Sequence, residues 1–122
     1  MDARLSLMQM VLLLAYAAAM AGGQVLFKLA ALRAPASGSL AERLLAMTQN
    51  EFFATAVALY AALTVFWVWI LSFTPLSRAY AFVALAFGIT PFAAGVIFGE
   101  PISVRLVVGI GFISLGLVLV AR

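Results

Sequence analysis

Polar side chains are sparse along this chain, and its organisation is read from where they interrupt the apolar runs. Uncharged, mostly apolar stretches cover 5–27, 52–77, 79–99 and 106–121, with 23, 26, 21 and 16 residues. A hydrocarbon core about 30 Å thick is crossed by roughly 20 helical residues, so the first three runs are each long enough to span as an α-helix. The fourth covers only about 24 Å at about 1.5 Å per residue. Its helix is expected to begin near Ile102 and to carry Arg105 within the headgroup region, the guanidinium snorkelling toward water. The pattern predicts an all-α membrane protein: one four-transmembrane-helix bundle over 1–122, with helices at 5–32, 51–73, 75–99 and 102–121.

Breakers and caps place the ends. Ala34-Pro35 closes the first helix, because the residue before a proline is pushed out of the helical region. The loop 33–50 contains Pro35, Ser37 and Gly38, then Ser39-Leu40-Ala41-Glu42, a capping box opening a short amphipathic helix. Leu40, Leu44 and Met47 share one face of it. Two uses of that face stand: resting on the membrane surface while Glu42 and Arg43 stay in water, or closing over a substrate entrance as a lid. Thr48-Gln49-Asn50-Glu51 repeats the capping-box spacing before the second spanning helix, and Thr74-Pro75 reads as the N-cap and first-turn proline of the third. The second and third helices are therefore expected as antiparallel neighbours, and Glu100-Pro101 ends the third.

Inside that third helix, Pro91 removes one backbone bond and sets its ring against the Phe87 carbonyl, which predicts a kink and a hinge at Pro91. Gly95 and Gly99 have the spacing that lets helices approach closely, and Ala15, Ala19 and Gly23 form a similar stripe on the first helix. Gly109 and Gly116, with Gly111 and Ser114 between them, suit a dimer contact.

Composition narrows the chemistry. With 67% hydrophobic and 9% charged residues, these side chains do not cover a soluble core. Cysteine and histidine are absent, which removes disulfides, thiol nucleophiles, the usual metal ligands and the usual general base near neutral pH. The chain therefore reads as a non-enzyme without metal or cofactor. Its net charge of +3 is spread over ends and loops, a pattern for lipid headgroups rather than nucleic acid. The first apolar stretch exceeds a signal-peptide core and is followed by Lys28 and Arg33 rather than a small-residue cleavage site, so it is expected to remain as a helix.

With the N-terminus on side one, that side carries Arg4, Arg78 and Arg122, and side two carries Lys28, Arg33, Arg43 and Arg105. This near balance gives the positive-inside rule little to act on, with a slight preference for the N-terminus inside. Trp67, Trp69 and Phe73 gather at the side-one end of the second helix, as an aromatic belt or as a sugar-stacking platform.

The constellation that invites function lies on side two. Gln24 and Lys28 are four apart and share a helix face, Glu100 ends the third helix, and Arg105 opens the fourth. Such groups are costly in lipid unless paired or hydrated, so they are expected to face the bundle interior or a wet cavity. One reading is a structural Lys28 to Glu100 pair. The other is that two cations against one carboxylate leave positive charge to receive a phosphate.

The runs Ala21-Gly22-Gly23-Gln24-Val25-Leu26-Phe27-Lys28, Thr74-Pro75-Leu76-Ser77-Arg78-Ala79-Tyr80-Ala81, Gly99-Glu100-Pro101-Ile102-Ser103 and Gly109-Ile110-Gly111-Phe112-Ile113-Ser114-Leu115-Gly116 resemble the four-helix members of the drug/metabolite transporter superfamily. The resemblance is nearest to small EamA-like proteins of the ArnE and ArnF type, subunits of an undecaprenyl-phosphate aminoarabinose flippase. It implies a bundle acting as a homodimer, or as a heterodimer with a similar small four-helix protein, in a bacterial inner membrane. The implied cargo is a lipid-linked sugar phosphate moved across that membrane. On this chain Lys28 and Arg105 would meet the phosphate, Gln24, Tyr80 and Tyr60 the sugar hydroxyls, and Glu100 would hold Lys28 or meet an amino-sugar. Arg78 would be a second phosphate station at the opposite mouth.

The chain also resembles the small multidrug resistance exporters in its Pro75 to Ala81 opening of helix three and its late glycines. Those exporters carry a glutamate in the middle of the first helix, where this chain has Leu13, Leu14, Ala15, Tyr16 and Ala17. Proton-coupled export of small cations is the alternative, along with a non-transporting membrane subunit.

Overall fold

The structure, a computed structural model, describes residues 5–121. Of these, 82% are helical and none forms a strand. The helices are α1 (Leu7–Leu32), α2 (Leu40–Thr48), α3 (Glu51–Leu71), α4 (Leu76–Val83), α5 (Leu85–Phe98) and α6 (Val104–Ala121). Three stretches are long and apolar enough to cross a membrane: α1, α3, and α4 with α5 as Leu76–Phe98. The fourth apolar helix, α6, has 18 residues and spans about 27 Å. Arg4 and Arg122, counted above on side one, lie outside the described residues.

Local chemistry explains the helix ends and corrects two expected caps. Ser6 and Gln9 form a capping box at the start of α1, and the Gln9 Nε2 is left to donate to the Phe73 carbonyl at 2.7 Å and to Thr74 Oγ1 at 3.1 Å. Thr74 is therefore not the N-cap of α4. It is buried, a buried hydroxyl needs a partner, and Gln9 supplies one; α4 begins after Pro75 with no side-chain cap.

At the other end of the molecule, Asn50 rather than Thr48 caps α3. Its Oδ1 accepts from the Phe52 and Phe53 amides, while its Nδ2 donates to the Ala30 carbonyl at 3.0 Å, which also accepts from the Arg33 amide at the end of α1. Thr48 ends α2 and turns its hydroxyl to the Leu45 carbonyl. The Ser39 and Glu42 capping box forms on α2, which buries no residue and lies beside α3.

α1 runs between α3 on one flank and α4 and α5 on the other, and α6 lies against α4 and α5. Leu13, Ile70, Ala79 and Phe82 make the buried cluster at the side-one end, where Tyr16, Trp67 and Leu117 close over it. Trp67 stacks on Tyr16 with ring centres 4.7 Å apart, and Trp69 meets Phe73 edge-on.

The third spanning stretch is interrupted at Ala84, about two turns before Pro91, which sits inside α5. The Ala84 amide donates to Ala81 and the Phe87 amide to Ala84, both one residue tighter than the α ladder. The small side chains of Ala81, Ala84 and Ala86 leave room for such a tightened turn. Pro91, where the sequence predicts a kink and a hinge, lies inside α5, and the tightened turn falls at Ala84.

The Gly95 and Gly99 spacing does not join two helices. A Cβ on Gly95 would sit 2.5 Å from Ile102 Cδ1, so Gly95 makes room for the following turn, and Gly99 at φ +66° is the left-handed C-cap of α5.

Replacing Gln9 by alanine removes two hydrogen bonds between α1 and the α3 to α4 turn and leaves the Thr74 hydroxyl unpaired. A loss of about 1–3 kcal/mol is expected, read as an earlier unfolding midpoint in a detergent titration followed by circular dichroism.

Candidate functional site

Two stripes face each other across the gap between α1 and α5. On α1, Met20, Gln24 and Lys28 recur every four residues; on α5, Thr90, Ala94 and Phe98 do the same. At the side-two end the gap is a crevice of about 180 Å³ lined by Gln24, Val25, Lys28, Thr90, Ala94, Phe98 and Glu100. Lys28 Nζ and Glu100 Oε1 are 3.6 Å apart across it, each side chain about half exposed at 47%. The structural pair expected from the sequence is present. At that length and exposure its contribution is no more than about 1 kcal/mol, so it opens at little cost.

Tyr60 reaches the same place from α3. Its hydroxyl accepts from Gln24 Nε2 at 2.7 Å and donates to the Met20 carbonyl at 3.0 Å, while its ring stacks on Phe27 at 5.2 Å. The phenol has thus spent its donor inside the protein, and its action on a ligand runs through Gln24. With Nε2 held by the tyrosine, Oε1 is the acceptor Gln24 presents. A Cβ on Gly23 would lie 2.5 Å from Tyr60 Cε2, so this ring position requires glycine there.

The other sequence-derived candidates do not join this crevice. Arg105, the second residue of α6, is exposed and lies outside the crevice lining. Ser103 caps α6, so the helix begins two residues later than the expected start and leaves Arg105 in its first turn on the outside. Tyr80, 65% exposed, lines an open depression with Leu76, Ser77, Ala81 and Val120 at the side-one end, far along the bundle from Lys28. Arg78 is half-buried in the first turn of α4, at the side-one end. Pro91 lines the apolar continuation of the crevice.

Two positive charges therefore do not converge on one carboxylate. The crevice holds one of each sign.

Thr90 was the residue missed. It lines the crevice opposite Gln24, and the four-residue recurrence of Thr90, Ala94 and Phe98 ahead of Glu100 carried that signal. α2 lies beside α3, and none of its residues lines the crevice.

No protein-family model, curated protein or solved structure matches the chain. What can be said of function rests on the chemistry of the crevice.

Replacing Gly23 by alanine is expected to push the Tyr60 ring off α1 and release Gln24, with a stability loss at least equal to that of Tyr60→Phe, about 1–2 kcal/mol for its two hydrogen bonds. Unfolding midpoints of the two single variants and the double variant check this; midpoint losses that add in full would show that the glycine does not act through the tyrosine.

Proposed function

We propose that the chain is a membrane transporter, in the manner of the small EamA-like flippases it resembles, moving a polyprenyl-phosphate-linked sugar across a bacterial inner membrane. The observation that carries this reading is the loose Lys28 to Glu100 pair in a crevice at the end of an apolar helix gap. An isolated lysine at this depth is costly, and Glu100 neutralises it while the site waits. A phosphodiester carries the same single negative charge as the carboxylate and takes its place on Nζ, a replacement made easy by the length and exposure of the resting pair. The released carboxylate then accepts hydrogen bonds from the sugar, or pairs with an amino group where the sugar carries one. Gln24 Oε1 and the Thr90 hydroxyl complete the polar lining for sugar hydroxyls.

In this reading α6 completes a four-helix unit that works as a dimer, with itself or a similar small protein. Gly109, Gly111 and Gly116 support it: a Cβ at any of them would meet nothing within 4 Å. Arg105 stays outside the path, and Arg78 receives the phosphate on the far side. Export of small cations is less well supported, since the carboxylate available for a cation stands at a helix end and faces a lysine.

The chain reconstituted in liposomes with a short-chain polyprenyl-phosphate sugar is expected to expose it to an impermeant oxidant on the opposite face. Lys28→Ala reduces this transfer at least about tenfold, the loss of one charge-assisted contact, whereas Arg105→Ala stays within about twofold of wild type. Full transfer by Lys28→Ala rejects the site, and no transfer by the wild-type chain, alone or with a like partner, favours a non-transporting subunit.

A further inference from the structure

The crevice does not end at Lys28. Gln24 and Thr90 also line a second cavity, of about 360 Å³, which continues toward the middle of the bundle between Met20 on α1 and Val83, Ala86, Phe87 and Pro91 on α4 and α5. Apart from those two shared residues its walls are hydrocarbon, aromatic ring and proline, and its size falls in the range of ligand-binding cavities. Phe87, 67% exposed, stands at its opening toward the surroundings of the helices. Polar chemistry and apolar chemistry are thus laid end to end along one gap, with an ion pair at one end and no charge at the other.

We infer that this second cavity is a hydrocarbon groove, and that the site takes an amphiphile lengthwise, its phosphate-class head at Lys28 and Glu100 and the first segment of its chain against Met20, Val83, Phe87 and Pro91. The inference rests on the headgroup reading above and adds to it that the protein, rather than the bilayer alone, holds the start of the chain. Chain and lipid are equally apolar, so the groove gains little by removing hydrocarbon from water; what it supplies is close contact and a fixed direction for the chain. Fixing the chain fixes the head: with the first segment lying along α1, the phosphate is delivered within reach of Lys28. The tightened turn at Ala84 lies between Val83 and Ala86 in the wall, so a change in that turn alters the width of the groove.

The chain lacks cysteine, which makes a positional test direct. The full chain carrying Phe87→Cys with a bimane label, in phosphatidylcholine vesicles, is titrated with a long-chain alkyl phosphate bearing a nitroxide near its head. The same label at Val65→Cys, on the exposed face of α3, reports the surrounding lipid. Quenching at position 87 is expected to saturate and to exceed that at 65 severalfold, with the excess abolished by Val83→Phe and by Met20→Phe, which fill the groove from opposite walls. Lys28→Ala also removes the excess. A label at Phe98→Cys, read with water-soluble glycerol phosphate, follows the head alone.

Equal, non-saturating quenching at 87 and 65, with a Lys28-dependent response at 98, overturns the groove and leaves the headgroup reading standing. An excess at 87 that survives Lys28→Ala, with no response at 98, overturns the headgroup reading and with it the lengthwise binding inferred here. Should both filling variants fail to fold by circular dichroism, the wild-type comparison of the two positions still decides.

Discussion

Three side-chain amides hold α1 against its neighbours, and the remaining arrangement follows from where they act. Gln9 ties its first turn to the α3 to α4 connection, Gln24 meets Tyr60 midway, and Asn50 takes the Ala30 carbonyl near its end. Between helices surrounded by lipid, apolar contact offers little over contact with acyl chains, so hydrogen bonds and the close approach of small residues decide which surfaces meet. Leu13, Ala17, Ala21, Gly23 and Ala30 are the buried positions on α1, four of them small enough for such an approach, and Ala56 answers them from α3.

All three clamps lead from α1 to α3 or to the turn that follows it, and none leads to α5. The gap between α1 and the third spanning stretch is closed at its side-one end by the cluster of Leu13, Ile70, Ala79 and Phe82, and the other end carries no such cluster among the described residues. That is where the crevice lies, bridged by a 3.6 Å ion pair rather than by a buried amide. A site that must admit and release a ligand is drawn from the weakly held part of a structure.

How much of this was legible depended on whether a signal was local. Long uncharged runs dictate spanning helices wherever they occur, and the Ser39 to Glu42 box is complete within four residues, so both could be read directly. Thr74 and Asn50 could not, because each cap was settled by a distant partner, Gln9 in one case and the Ala30 carbonyl in the other. The pairing of Lys28 with Glu100 followed from cost alone, since two opposite charges at the same depth seek each other. The exclusion of Arg105 required knowing that Ser103 caps α6 and sets its rotation. Tyr60 was expected at sugar hydroxyls from the resemblance; that its hydroxyl is engaged by Gln24 and Met20 depends on Gly23 clearing the way, a fact of three dimensions.

The neutrality of the crevice bears on how the transport site proposed for it would both bind and let go. A lone cation here would hold a phosphate tightly, because the alternative on release would be an unpaired charge at the edge of the hydrocarbon. With Glu100 in place, release returns Lys28 to a partner already waiting at 3.6 Å, so the desolvation cost of the amine is much the same in the loaded and empty states. Binding and release then differ by the exchange of one anionic oxygen for another. The two charges that at first suggest only a structural salt bridge are, on this argument, what keeps the exchange near balance, and the surplus cation sought in the sequence would have worked against turnover.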